Sequence, residues 1–141
     1  MGVQLKQLPD GSLGLEGSAN GDGGFIPVTF NYTASSTDAS FFVADRPYVV
    51  KAIRGRVDVA GTGGACTAVI RKVPTTIALT SGTALHTGSF NLAGTALAQQ
   101  ALTLSTTASD ILLAAGDALA FDLTGTATSA VGCITVTLNP A

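Results

Sequence analysis

Apolar and polar residues alternate along most of this chain, most clearly near its C-terminal end. Bulky apolar residues alternate with small or charged ones over 119–123, and the same alternation returns over 134–138. Successive side chains of a strand point to opposite faces, so this period of two predicts half-buried antiparallel strands. Gly116 and Asp117 precede the first run, and they supply the positive φ and the side-chain hydrogen bonding that a tight turn needs.

Shorter alternating runs, separated by turn residues, fill most of the remaining chain. Residues 25–32 form the first clear run, and Pro27 limits it to the edge or the beginning of a strand. Residues 48–60 and 66–73 are joined by a glycine-rich turn, which predicts a hairpin with a bulge or bend near Gly55. Short strands at this spacing predict an all-β fold, an antiparallel β-sandwich of jelly-roll-like type with an extended N-terminal arm.

Two short stretches carry more specific predictions. Phe41 and Phe42 are adjacent, so in a strand they point to opposite faces, one inside and the other on the surface or in an interface. The segment 93–101 is rich in Ala, Leu and Gln, and it fits either a helical turn or a strand.

The N-terminal region differs in character from the rest of the chain. A Pro-Asp-Gly turn signal at 9–11 lies between two pairs of leucines and predicts a small hairpin, and a glycine-rich run after it predicts a connector. We therefore divide the chain into an N-terminal arm or hairpin, 1–24, and a single β-sandwich domain, 25–141. The arm is expected to become ordered on a partner, although an ordinary frayed terminus fits equally well.

The composition is poor in charge. Of the 141 residues, 46% are hydrophobic and only 11% are charged, whereas an average soluble domain has about 25% charged residues. Threonine and serine take the place of charge, and on outward strand positions they keep a sheet soluble. Such a surface also suits packing against other protein, and the composition leaves both interpretations open.

The charge pattern and hydropathy exclude several classes of partner. The net charge is −2, without the clusters of Lys and Arg that nucleic-acid binding needs. The apolar runs are far shorter than the roughly 20 residues of a membrane helix, and no signal peptide is visible. We expect a protein made in a reducing cytoplasm, with Cys66 and Cys133 as free thiols.

Residues that could carry chemistry are few. We expect His86 to be an exposed loop residue, because a nucleophilic site needs a base, a nucleophile and an orienting acid together. Cys66 and Cys133 lack the paired spacing of zinc ligands. Asp117 and Asp122 lie in opposite phases of one strand, which argues against the paired carboxyls of a glycosidase. The sequence predicts no enzyme, no cofactor and no metal site.

The densest basic feature consists of three arginines, Arg46, Arg54 and Arg56. One interpretation is a solvated strand face on which Asp58 is a partner. The other is a contact to an acidic protein surface, since guanidinium groups recognise carboxylates well.

Three stretches resemble the head decoration, or cement, proteins of short-tailed bacteriophages. They are FFVADRPYVVKAIRGRVDVAGTGGACTAVIRKV at 41–73, FNLAGTA at 90–96 and LSTTASDILLAAGDALAFDLTGTATSAVGCITVTLNP at 104–140. The shared features are the ADRPY turn that leads into a strand, the pattern TASxxxLAAGDxLAxDxTGT and the alternating final strand.

The resemblance implies a non-enzymatic structural protein with a β-sandwich fold. Such a protein is made in the host cytoplasm, binds the outer surface of an assembled phage head and bridges subunits of the major capsid protein to stabilise the shell. It would act as a homo-oligomer, with a dimer favoured and a trimer possible. The candidate partner contacts are Leu5, Leu8, Leu13, Leu15, Phe42, Arg46, Arg54 and Arg56.

Two other classes stay open. A carbohydrate- or receptor-binding sandwich of a phage fibre or head usually displays exposed aromatic residues, and this chain has no Trp and two Tyr. A small hydrolase or isomerase of the cupin kind needs a cluster of metal ligands, typically several histidines, and this chain has one.

Overall fold

The computed structural model describes the backbone of residues 4–7 and 13–16 and the whole of residues 24–141. The strands are β1 (Gln4–Gln7), β2 (Leu13–Glu16), β3 (Ile26–Tyr32), β4 (Ala39–Val43), β5 (Tyr48–Val59), β6 (Cys66–Val73), β7 (Thr83–Ala84), β8 (Phe90–Asn91), β9 (Gln99–Ala101), β10 (Leu112–Leu113), β11 (Ala118–Gly125) and β12 (Val131–Pro140). A 3-10 turn spans Leu79–Ser81. The predicted all-β fold is confirmed.

Two antiparallel sheets form the sandwich. The first sheet has the order β10-β5-β12-β3, and β9 also pairs with β5. The second sheet has the order β4-β11-β6-β7, and β8 also pairs with β6. The strands pair in a nested way, β3 with β12, β4 with β11, β5 with β10 and β6 with β7. This nesting is the jelly-roll arrangement that the sequence predicts.

The nested pairing overturns one sequence prediction. β5 and β6 do not form a hairpin, because the connection between them crosses from the first sheet to the second. The partners of β5 are β12, β9 and β10, whereas the partners of β6 are β11, β7 and β8. The glycine-rich segment that joins them therefore bridges the two layers.

Aromatic rings fill the space between the sheets. Phe121 of β11 is fully buried, and its ring centroid lies 4.6 Å from that of Phe30 on β3. Its ring also stacks on that of Tyr32, at 6.1 Å between centroids. The largest fully buried side chains are Tyr32, Phe90, Phe121, Ile53, Ile70, Leu85, Leu92, Leu113, Leu119, Ile134, Leu138 and Val50. Many of them lie at the alternate positions of β5, β6, β11 and β12 that the sequence pattern marks as inward.

Gly55 has a different role from the one predicted. In the pairing of β5 with β12, Lys51 and Asp58 have no partner residue on β12. The irregularities of the strand therefore lie at these two residues and not at Gly55. A Cβ atom at Gly55 would lie 2.9 Å from Cε1 of Phe90. Gly55 therefore leaves room for the Phe90 ring against the inner face of the strand.

The predicted opposite orientation of Phe41 and Phe42 is wrong. The register of β4 against β11 skips Phe41, which is a β-bulge, and both rings pack against the core. A bulge inserts one residue, so two successive side chains can face the same side. The ring of Phe41 lies 5.5 Å from that of Phe30, and the ring of Phe42 meets Tyr48 edge-on at 5.8 Å.

The remaining local predictions have mixed outcomes. Residues 93–101 form turns followed by β9, and no helix lies there. β1 and β2 pair antiparallel, as the predicted hairpin requires, and their turn lies outside the described residues. The connector at 17–23 also lies outside them, so the division into an arm and one domain stays a prediction.

Candidate interaction surfaces

The outer face of the first sheet is rich in threonine. We call it the threonine face and define it by Thr29, Thr135, Thr137, Arg54 and Arg56. These residues alternate with the buried residues of β3, β12 and β5. The Oγ1 atoms of Thr29 and Thr135 lie 2.8 Å apart across the two strands. These five residues are threonines and arginines, so the face is polar and carries no carboxylate of its own.

The two predicted arginines of β5 lie on this face and are exposed. Nε of Arg56 donates to Oδ1 of Asp58 at 2.9 Å, which agrees with the solvated interpretation for that residue. Among the described residues, no carboxylate lies within salt-bridge distance of Arg54 or of Lys51. Arg54 is therefore the exposed cation of the threonine face for which the described residues provide no carboxylate partner.

The ADRPY segment, 44–48, connects β4 of the second sheet to β5 of the first sheet. The hydroxyl of Tyr48 donates to Oδ1 of Asp45, and Nε of Arg46 lies 3.3 Å from Oδ2 of the same carboxylate. The Tyr48 hydrogen bond holds the pKa of Asp45 below its usual value and raises the pKa of Tyr48. This segment has a structural role at a corner, and Arg46 stays exposed beside it.

The charged side chains Arg71 and Asp122 of the second sheet pair with each other. Nε of Arg71 on β6 pairs with Oδ2 of Asp122 on β11 at 2.5 Å, and its Nη1 donates to the carbonyl of Gly82 at 2.9 Å. Asp117 accepts the N–H of Ala114 in the turn before β11. Asp117 and Asp122 therefore hold separate structural positions, as their opposite phases predict.

His86 is buried, so the predicted exposed position is wrong. It is only 5% exposed, and its Nε2 accepts the backbone N–H of Ile70 at 3.0 Å. Burial lowers its pKa. The Thr, Gly and Ser residues beside His86 in the chain do not predict its burial. The residues that bury it come from β6 and from Phe90, whose ring centroid lies 5.8 Å from that of His86.

The two cysteines are free thiols, as predicted. Cys66 is buried on β6, and burial raises the pKa of its thiol. Cys133 is half-buried on β12, opposite Arg56. The residues that the structure describes contain no group of three or more His, Cys, Asp or Glu side chains placed to hold a metal ion. They also include no helix with the length and hydrophobicity needed to span a membrane.

The predicted contacts of the arm are only partly placed. The register of β1 against β2 puts Leu5 opposite Leu15, with Leu13 two positions along β2. Leu8 lies outside the described residues. Phe42 is half-buried, and its role as a partner contact stays a prediction.

Exposed apolar residues at the far end of the sandwich have no counterpart among the predicted contacts. Val59 and Val131 are opposite each other and are 48% and 38% exposed. Leu97 is 64% exposed and adopts φ 66°, a left-handed conformation that is unusual for a bulky residue. Its N–H donates to the carbonyl of Val57, which fixes it beside this strand end. No sequence signal marks such a position, since the strain comes from the surrounding backbone.

The sandwich has a counterpart among solved structures. A chain from the structure described as the cyanophage Pam1 capsid asymmetric unit aligns with a TM-score of 0.53 and 14% identity over 84% of each chain. Two weaker matches have TM-scores of 0.32 and 17% identity. One comes from Bacillus endospore appendages that form disulfide-linked pili and covers 83% of this chain and 88% of that one. The other comes from infectious bursal disease virus strain Gx and covers 79% of this chain and 32% of that one.

The first match shows a shared fold. No family model and no curated protein matches this sequence. The β-sandwich of this protein is therefore a fold that also occurs in a viral capsid. The two weaker matches lie below the level at which a common fold can be inferred.

Proposed function

We propose that this protein is a structural component of a phage capsid. In this proposal it binds the outer surface of the assembled head and bridges subunits of the major capsid protein. The observation that supports it is the jelly-roll fold shared with a chain of a cyanophage capsid over most of both chains. The three stretches that resemble decoration proteins support the same role.

The surface chemistry supports a protein-packing role. The threonine face is rich in small polar side chains and carries Arg54 without a described carboxylate partner. Faces of small polar residues permit close contact with another protein without the cost of desolvating many charges. We propose that Arg54, Arg56 and Arg46 meet acidic groups of the capsid.

The arm extends this proposal. A two-stranded ribbon is marginally stable alone in water, and β1 and β2 form a sheet separate from the sandwich. We propose that residues 1–24 act as an arm that lies on a capsid subunit. Many copies with modest contacts then raise the force needed to rupture the shell, through multivalency.

Co-sedimentation with empty heads of the phage that encodes the protein tests this function. We expect saturable binding with a fixed number of copies per head and greater resistance of the loaded heads to heat. Purified protein that stays in the supernatant at every concentration would refute the proposal.

Paired variants locate the contact. Arg54→Ala removes the cation of the threonine face that has no carboxylate partner in the described part of the chain, and Lys51→Ala removes the same charge three positions away on the same strand. We expect weaker head binding for the first variant and unchanged binding for the second. Equal losses would show that net charge, and not a contact by Arg54, governs binding.

A carbohydrate-binding role lacks the expected side chains. Both tyrosines are buried, and among the described residues Phe25 is the one exposed aromatic side chain. Glycan-binding sandwiches usually present several aromatic rings on one face. Binding of the purified protein on a glycan array would reverse this preference.

A further inference from the structure

The edge strands of the two sheets differ in how well they are protected. The edges opposite β3 and β4 are built from β7, β8, β9 and β10, which have two or three residues each. β4 carries the bulge at Phe41. Short strands and bulges are devices that prevent an edge from pairing with another chain.

β3 is the exception. It spans seven residues, IPVTFNY, pairs with β12 without any register shift and contains no charged residue. Pro27, close to its start, is the one protective feature. Among the described residues, no strand pairs with its free side. β3 is therefore a long, regular and uncharged edge.

The hydrogen bonds of β5 establish which peptide groups of the first sheet point to which side. The N–H of Val57 donates to the carbonyl of Ala98, and the N–H of Leu102 donates to the carbonyl of Ile53. Ile53 and Val57 thus bond on the side of β9. Successive residues of an antiparallel strand bond to opposite sides, so Arg54 bonds toward β12.

The same alternation carries through β12 to β3. Arg54 lies opposite Thr135, so the residues that flank Thr135 bond toward β3. Their partners on β3 are the two residues that flank Thr29. The N–H and C=O groups of Thr29 and Asn31 therefore point to the free side of the sheet. Pro27, two positions before Thr29, also has its backbone nitrogen on the free side of the sheet. A residue without an N–H is tolerated there because no hydrogen bond to β12 is lost.

We propose that β3 pairs with β3 of a second copy, antiparallel about a two-fold axis at Phe30. In this register, Thr29 of one copy lies opposite Asn31 of the other. Each of the two pairs exchanges two backbone hydrogen bonds, and Pro27 stays outside the paired region. The same strand then serves both sides of the interface, as a two-fold symmetric dimer requires.

The position of Phe30 fits this dimer. Its ring is half-buried at the edge of the core, between Phe41 and Phe121. On the two-fold axis it takes a non-hydrogen-bonded position, where the Cα atoms of facing residues are about 4.5 Å apart. The two copies of Phe30 then lie side by side, and the apolar layer continues from one sandwich into the next.

β3 pairing gives a surface to the homo-oligomer that the resemblance to decoration proteins implies, and its test needs no capsid. Sedimentation velocity on the full chain over a range of concentrations should show a monomer–dimer equilibrium. A chain that stays monomeric at all soluble concentrations, or that forms trimers, would overturn the β3 pairing. Either result would leave head binding to be decided separately.

Substitutions on β3 identify the surface. Thr29→Pro removes an outward N–H and none of the backbone hydrogen bonds to β12, and it also removes the exposed side-chain contact with Thr135. We expect dimer affinity to fall roughly tenfold or more, since the substitution deletes two interface hydrogen bonds. Asn31→Lys places two like charges beside the axis and should have a similar effect. Thr137→Lys, with the same added charge one strand further in, is the control and should dimerise normally. A dimer that survives both β3 variants would overturn the proposal.

Cysteine cross-linking tests the register. In a Cys133→Ser background, the double variant Thr29→Cys/Asn31→Cys should form an intermolecular disulfide on mild oxidation. The facing Cα atoms would be about 5.5 Å apart, within the range that a disulfide spans. Asn31→Cys alone should not cross-link, because its counterpart in the other copy lies diagonally across the axis. Efficient cross-linking by the single variant, and not by the double one, would contradict this register.

Discussion

The buried histidine makes the stability of this protein depend on pH in a way that a substitution can isolate. Nε2 of His86 accepts the N–H of Ile70 at 3.0 Å, and Nδ1 lies 3.2 Å from the carbonyl of Thr87. The neutral ring with its proton on Nδ1 satisfies both contacts. Protonation of Nε2 would break the first hydrogen bond and place a charge in the core.

The sign of the effect is set by the lowered pKa of His86. In the unfolded chain the ring titrates near its ordinary pKa of about 6.5. Below that pH the unfolded state binds a proton that the native state does not. Stability is therefore complete above this value and falls as the pH drops toward the lower native pKa. The steepest slope for one proton is about 1.4 kcal/mol per pH unit.

Two variants separate titration from hydrogen bonding. His86→Gln supplies a neutral amide oxygen in place of Nε2, so we expect it to lose the pH dependence between neutrality and about pH 5 while retaining most of its stability. His86→Leu leaves the buried N–H of Ile70 without an acceptor, which should cost about 1–3 kcal/mol at neutral pH.

Urea unfolding at neutral pH and at about pH 5 measures both quantities, and the carboxylates titrate mainly below this interval. A His86→Gln variant with the same pH slope as the wild type would refute the assignment of the slope to this ring. A His86→Leu variant as stable as His86→Gln would show that the hydrogen bond to Ile70 contributes little.

Two further predictions concern packing. Phe121→Ala removes a fully buried ring that lies 4.6 Å from Phe30, and we expect a loss of about 3–5 kcal/mol in the free energy of unfolding. Phe25→Ala, at a 58% exposed ring, is its control and should change stability by less than about 0.5 kcal/mol; similar losses would argue against a Phe121 core. Gly132→Ala would push a Cβ into the hydroxyl of Tyr32 and the carbonyl of Arg56, with an expected cost of about 1–3 kcal/mol. Gly24→Ala meets nothing within 4 Å and should be neutral in the same chemical denaturation assay, so equal behaviour of the two glycine variants would contradict this account.

The alternating pattern predicted the layers well, because inward and outward positions depend only on local strand geometry. Phe121, Ile134 and Val136 lie in the core at positions that their spacing marks. Pro27 predicted an edge strand or a strand start, and β3 is an edge. These features depend on the residues themselves.

The connectivity could not be predicted in the same way. Pairing partners in a jelly roll are distant in sequence, so two consecutive long runs such as β5 and β6 look like a hairpin although they belong to different sheets. The bulge at Phe41 depends on the partner strand β11. The burial of His86 depends on Ile70 and Phe90, which fold over it from elsewhere.

For the surface, the sequence predicted that Arg54 and Arg56 share the outward phase of β5, and both are exposed there. The interpretation with Asp58 as a partner agrees with the contact of Arg56, and a contact of the arginines to an acidic protein surface stays a prediction. It contained no indication that Leu97 is held in a strained and exposed conformation. It also did not separate the protected edges from the unprotected one, because edge protection depends on which strands end up at the borders of each sheet.

The nested pairing sets an order of events during synthesis. β12, which is synthesised after β3 and β5, lies between them and so occupies the middle of the first sheet. Thr29 of β3 and Thr135 of β12, which contact each other, are 106 positions apart in the chain. Such distant contacts close late and fold slowly. Until β12 arrives, β3 has no partner among the described strands and β5 has one unpaired edge, so a ribosome-stalled chain that lacks β12 should be a ready substrate for chaperones.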